Sequence, residues 1–393
     1  MKKTIRDIDV AGKRVLVRVD YNVPINQELK IVDDTRIVAT LPTINYLLEH
    51  GAKVILCSHL GRPNGQMDTK LSLRPVLARL SKLLEKPISF AEDILDKSTV
   101  DLVNKMQNGD ILMLENIRFY KQEEENNDAF AKKLAGLADV FVLEAFATAH
   151  RKHASTYGVA KYIPAVCGFL VEEELLMFDK VLNKPERPFV AILGGAKISD
   201  KLPVIENLID KVDTILIGGG MAYTFIKAIG GSIGMSIIDN TKVELAKQLL
   251  DKAKEKGVKI ILPIDNVGAK EFSEDADTKL FSSGFFADDY QGMDIGPKTI
   301  RVFKKVIKKA RTIVWNGPVG VYEYDKFKKG TNKIAKYVAR SKAMSIIGGG
   351  DSIAAVQSLG VCKKVTHMST GGGASLMVLQ GKTLPCVEMI EDN

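Results

Sequence analysis

The chain is poor in the residues that staple small secreted folds. Its 393 residues contain four cysteines, Cys57, Cys167, Cys362 and Cys386, far apart and with no CxxC pair. That spacing argues against a disulfide framework or a zinc site, and a reducing cytosol suits it better. The N-terminal MKKTIRDIDV is basic but has no apolar core of the kind a signal peptide needs. No uninterrupted apolar run of about 18 residues is present, so no membrane span is expected. Acids are outnumbered: 48 Asp and Glu face 56 Lys and Arg, a net charge of +8. That excess suits nucleic acid, a membrane surface, small acidic substrates or simply distributed surface lysine.

The common phosphate fingerprints are missing as well. No GxxxxGK[ST] occurs, since Leu376 stands where Gly381-Lys382-Thr383 would need its first glycine. The glycine triplets at 218–220, 348–350 and 371–373 fail GxGxxG, because Tyr223, Ile353 and Leu376 occupy the last position. A nicotinamide-dependent dehydrogenase is therefore disfavoured.

What is present is alternation. Short apolar runs at 14–24, 53–63, 110–119 and 139–150 alternate with helix-like segments. The second half repeats this at 189–195, 214–220, 259–265, 312–318, 344–350 and 365–373. Strand–helix alternation predicts parallel sheets covered on both faces, with ligands outside the carboxyl ends of the strands. Between the halves, Leu170, Val171, Leu175, Leu176, Phe178, Val181 and Leu182 show helical spacing, ended by Pro185 and Pro188. The length suits two or three domains. The reading is α/β: two Rossmann-like, doubly wound domains joined by a connecting helix and hinge. The boundaries fall at 1–170, 171–188 and 189–375, with 376–393 packing back on the first half.

The strand ends carry the chemistry. In the first half they offer Asp20, Asn22, His59, Arg62, Arg118, His150, Arg151 and His153, with Arg36 close behind. Arginines meeting at one edge repel unless an anion joins them, and their forks suit carboxylate and phosphate. The histidines lack acidic or cysteine partners at metal-ligand spacing. In the second half, Lys197 and Lys201 are four apart, which places them on one helix face if a helix follows Gly194-Gly195. The stretch IIGGGDSIAAV reads as strand, glycine turn and helix, a junction that receives phosphate. Asp351 there is either an N-cap or a ligand for magnesium accompanying a phosphate. The basic segment VFKKVIKKAR (302–311) reads as an amphipathic helix with a solvated lysine face, and no nucleic-acid signature appears.

Ten stretches, in order, resemble phosphoglycerate kinase: RVDYNVP, SHLGRP, LENIRF, AFATAHRKHAS, GGAKISDK, GGGMAYTF, DIGPKT, WNGPVGVYE, GGGDSIAAV and STGGGASL. The resemblance runs from Arg14 to Pro385. It implies two domains facing a cleft that closes. It implies reversible phosphoryl transfer between 1,3-bisphosphoglycerate and ADP, by a cytoplasmic, monomeric glycolytic enzyme using magnesium as MgATP or MgADP. No nucleic acid or membrane partner is implied. By motif position, Asp20, Asn22, Arg36, His59, Arg62, Arg118 and Arg151 would hold 3-phosphoglycerate. Gly195, Lys201, Gly219, Gly292, Asn316, Pro318, Glu323, Gly350, Asp351, Ser352 and Ile353 would hold the nucleotide, with Asp351 on the metal. Arg36 and Lys197 would flank the transferred phosphoryl. Departures from the family pattern fall at Leu143-Glu144, Ala147, Val171, Tyr290 to Met293 and Met377. A phospho-ligand binding protein on the same fold, without turnover, is the rival reading.

Overall fold

The computed structural model describes residues 1–94 and 96–393. The chain divides into two compact units, one formed by Met1–Leu176 with Thr383–Asn393 and the other by Met177–Lys382. The division falls inside the helix Phe169–Asn183, which stops before the two prolines.

Unit one is built on β1 (Arg14–Val19), β2 (Lys53–Cys57), β3 (Ser89–Ala91), β4 (Ile111–Leu114), β5 (Val140–Glu144) and β6 (Ala165–Cys167). They form one sheet in the order β3-β4-β2-β1-β5-β6, and every pairing is parallel. The central strands are apolar on both faces because helices cover both; β4 and β5 are buried at every residue. The last residues return here: Cys386 N–H donates to Ala149 O, and Lys3 N–H to Glu391 O.

Unit two contains β7 (Phe189–Leu193), β8 (Thr214–Ile217), β9 (Lys259–Ile261), β10 (Asp265–Ala269), β11 (Thr278–Ser282), β12 (Gln291–Ile295), β13 (Thr312–Asn316), β14 (Met344–Gly348) and β15 (His367–Met368). The main sheet is parallel in the order β15-β14-β13-β7-β8-β9. Its core gathers Val190, Ile192, Trp315, Phe303 and Ile334. A second, antiparallel sheet, β11-β10-β12, was not anticipated from sequence. The run 259–265 reads as a single strand, but it ends at Ile261 and the chain restarts at Asp265 in a different sheet. The helix Gly373–Leu379 stays on unit two, where Asn207 Nδ2 donates to Leu379 O. Among the described residues, no helix is long and apolar enough to cross a membrane.

Candidate active site

In unit one the candidate groups cluster at the carboxyl ends of β1, β2, β4 and β5. Asp20 follows β1 and accepts from Arg36 Nη1 at 2.5 Å. Asn22 Oδ1 accepts from Gly61 N–H at 2.9 Å, which ties the turn after β1 to the turn after β2. Arg118 sits on the short 3-10 turn after β4, only 4% exposed. Its Nη1 donates to Gly61 O, but its buried Nη2 has no partner. Arg151 Nε lies 3.2 Å from His150 Nε2. Arg62 is exposed on the turn beyond Gly61.

His59 reports which cations converge. Its ring is held well below the usual imidazole value, first by burial and then by Arg18, Arg118, Arg151 and Arg36. Arg36, Arg118 and Arg151 are expected there from sequence; Arg18, the strongest of the four, is not. Arg18 is buried in the middle of the sheet, with Nε donating to Ser155 Oγ at 2.8 Å and Nη2 3.2 Å from His59 Nδ1. A guanidinium only donates, so His59 Nδ1 accepts and the neutral ring carries its proton on Nε2. Glu123, fully buried, accepts from Ser155 N–H and Oγ–H and completes the chain. Burial raises its carboxyl, opposed chiefly by Arg18. Sequence reasoning passed over Arg18, yet a signal was there: a charged residue between Val17 and Val19 in a buried strand needs a partner. The cluster is cationic and leaves a buried guanidinium donor unpaired, which suits a small anion.

In unit two, two neighbouring cavities open at the carboxyl ends of the strands. One, of about 250 Å³, is lined by Gly195, Lys197, Lys201, Asn316, Pro318, Gly350 and Asp351, among others. The other, of about 360 Å³, has Gly195, Gly219, Gly292, Pro318, Glu323 and Asp351 in its walls. Apolar and aromatic groups missed in the sequence complete it, notably Tyr223, Ile237, Phe272 and Val321. Ile237 and Phe272 come from irregular segments outside every anticipated run. The first cavity is glycine-lined and sets Lys197 and Lys201 beside Asp200 and Asp351, a mixed lining suited to phosphates that arrive with a cation; the second is apolar enough for a ring. Asp351 borders both. Ser352 and Ile353 line neither; Ser352 is fully buried and its Oγ has no partner.

Backbone requirements explain two glycines. Gly219 has φ +66°, and a Cβ there would meet Gly195 N at 2.7 Å and Pro318 O at 2.8 Å. Gly349 has φ +89° and caps the helix Gly350–Ser358. That position removes the N-cap reading of Asp351, which instead lies in the first turn, where a carboxylate favours the helix dipole. The expected helical pairing of Lys197 with Lys201 also fails. The helix begins at Leu202, with Pro203 in its first turn, so residues 194–201 form a loop. Both lysines still line the same cavity, through loop geometry.

Lys201 is 7% exposed, and its Nζ donates to Asn316 Oδ1. Burial pulls its ammonium down to about 8, only partly offset by Asp200. Burial and then Glu323 raise the Asp351 carboxyl. Two carboxylates that repel one another beside a phosphate-sized, lysine- and glycine-lined cavity fit a hard divalent cation shared with phosphate oxygens. Among the described residues no group of three or more His, Cys, Asp or Glu could hold a metal by itself.

A family model described as phosphoglycerate kinase matches residues 5–382. The chain belongs to the phosphoglycerate kinase family. Curated relatives of that name include one from Clostridium botulinum (strain Hall), 54% identical over 394 residues, covering 100% of this chain and 99% of the relative. Another, from Finegoldia magna, is 52% identical over 393 residues, with 100% and 99% covered. Among solved structures, phosphoglycerate kinase from Coxiella burnetii matches with a TM-score of 0.89 at 41% identity, over 99% of this chain and 98% of that one. The enzyme from Pyrococcus horikoshii matches at 0.82 and 34%, over 98% of each chain. The chain is thus a glycolytic phosphotransferase. It moves a phosphoryl group reversibly between 1,3-bisphosphoglycerate and ADP, giving 3-phosphoglycerate and ATP.

Proposed function

We propose that the cationic cluster of unit one holds 3-phosphoglycerate and that the paired cavities of unit two hold a magnesium nucleotide. The single observation that carries this reading is an orphan donor: Arg118 Nη2, buried and without a partner. Leaving such a group unpaired is costly, and a ligand oxygen removes the cost. Asp20, Asn22, Arg36, His59, Arg62 and Arg151 surround the same substrate. His59 offers Nε2–H as a neutral donor, so it orients without exchanging a proton.

On unit two, Gly195, Gly219, Asn316, Pro318 and Gly350 let the phosphates approach the backbone, and Lys201 supplies a buried charge. Gly292 and Glu323 border the base and ribose end, while Ser352 and Ile353 fix the helix start beneath the phosphates. Asp351 would hold the magnesium, with Glu323 nearby; the ion supplies charge neutralisation on the phosphates. The acceptor carboxylate is already a nucleophile, so no general base is required. Arg36 and Lys197 neutralise the transferring phosphoryl, whose charge spreads over its equatorial oxygens. An acyl phosphate is lost readily to water. Substrate-driven closure about residues 171–188 would exclude it. The enzyme works as a cytoplasmic monomer.

Steady-state kinetics in both substrates tests the assignment. Arg118→Ala raises KM for 3-phosphoglycerate by about tenfold or more, the worth of one charged hydrogen bond, and leaves KM for ATP within a factor of two. Lys201→Met does the reverse. Both variants shifting the same KM would overturn the division of labour.

A further inference from the structure

The basic segment 302–311 lines neither of the candidate nucleotide cavities, yet it does not simply face solvent. Lys304, Lys308, Lys309 and Arg311 line a groove of about 500 Å³ together with Tyr337, Arg340, Ser341 and Lys342. Six cations and no carboxylate border it. Among the described residues none of the six has an ion-pair partner, whereas lysines elsewhere on this unit do: Lys256 pairs with Asp210, Lys270 with Asp289 and Lys328 with Asp325.

Helix ends account for half of this. Lys308 and Lys309 lie in the last turn of the helix Pro297–Lys309, and Arg340 ends the helix Lys329–Arg340, where cations favour the helix dipole. Lys304, Arg311 and Lys342 lie outside those turns and have no such reason to be there. Lys304 Nζ stands 5.4 Å from the centroid of the Tyr337 ring, so one ammonium already rests on the aromatic wall.

The groove is at the opposite edge of the sheet from the candidate nucleotide loops. Arg311 and Lys342 stand just before β13 and β14, which pair in register from Thr312 with Met344 to Asn316 with Gly348. Five residues of strand, roughly 16 Å, separate the two edges. An occupant here would not compete with the nucleotide.

We propose that this groove is a second anion site, for a small molecule carrying several phosphates. The volume is that of a small-molecule pocket. A polynucleotide would need a longer basic track and free stacking platforms, and the one ring present is covered by Lys304. A membrane surface would need exposed apolar side chains among the lysines, and the only aliphatic residue in the lining, Ala310, is buried.

Inorganic tripolyphosphate is the probe. Full-length protein is acetylated with and without it, and lysine modification is mapped by mass spectrometry. Calorimetry then compares it with the variant Lys308→Ala/Arg340→Ala/Lys342→Ala. The expected result is protection of Lys304, Lys308, Lys309 and Lys342 at moderate salt. In the variant one binding event weakens by at least about tenfold, the effect of removing a single charged hydrogen bond. Its turnover with 3-phosphoglycerate and ATP and its melting temperature stay those of the parent or better, since all three side chains are exposed. No protection at these lysines overturns the proposal, and so does unchanged binding by a folded variant. Tighter binding of oligothymidylate than of tripolyphosphate at the same ionic strength overturns the small-molecule class.

Discussion

Replacing Lys201 by methionine should stabilise the ligand-free protein at neutral pH while weakening nucleotide binding. Burial lowers this ammonium from its ordinary 10.5 to about 8. The depression corresponds to a folding cost of about 3 kcal/mol at pH 7. Methionine has similar length and removes that cost. It also leaves Asn316 Oδ1, in a residue only 3% exposed, without its donor. An orphaned buried acceptor costs about 1–3 kcal/mol. The net gain is therefore about 1 kcal/mol, or a rise of about 2–4 °C for a unit of this size. The pH dependence separates this account from a generic packing effect. Below pH 8 both folded and unfolded chains hold the Lys201 proton, and the cost is fully present. Between pH 8 and 10.5 the unfolded chain keeps a proton that the folded chain has released, so parent stability rises with pH relative to the variant. By pH 10 the cost of the charge is largely gone, the orphaned Asn316 remains, and the variant becomes the less stable of the two. Differential scanning calorimetry of both ligand-free proteins at pH 7, 8.5 and 10 measures the difference. A gap that does not change with pH would refute the burial argument, whatever its sign at pH 7.

The remaining expectations concern three other side chains. Arg36→Lys should lower kcat by about 10²–10³-fold with the fold intact, because one ammonium cannot reproduce a planar fork on a transferring phosphoryl; turnover above half the parent rate rules the role out. Asp351→Ala should raise the magnesium concentration needed for half-maximal rate and slow transfer, with KM for 3-phosphoglycerate little changed; an unaltered magnesium titration with near-normal turnover means Asp351 does not hold the ion. Glu144, buried at the end of β5, accepts from Thr43 Oγ1 and Leu170 N–H, and burial pushes its carboxyl up from 4.5 to about 7. The folded chain therefore holds a proton that the unfolded chain has lost between those values, and stability falls as pH rises through that window. Glu144→Gln should flatten this part of the stability profile in chemical denaturation from pH 4.5 to 7.5, and an identical slope in parent and variant would dismiss the assignment.

The sequence by itself determined the elements whose causes are local. Alternating apolar runs mark strands because a parallel strand buried on both faces tolerates little else. Glycine-rich strand ends mark sites because only a bare backbone lets Gly219 pass Gly195 and Pro318. The connecting helix was legible from its apolar spacing and its terminal prolines, and the family from ten ordered motifs. What depends on contacts across the chain was decided by tertiary structure alone. Arg18 joins the cationic cluster because Ser155, 137 positions away, receives its Nε. Lys197 and Lys201 share a cavity although no helix holds them in phase. The segment at 259–269 splits between two sheets because Asp265 continues β10 beside β11 and β12 instead of extending β9 beside β8. The lysines of 302–311 read as a solvated face until the end of a second helix supplies Arg340 and Lys342 across a groove. Periodicity records which face of an element is apolar. It carries no record of which distant element that face, or the polar face behind it, will meet.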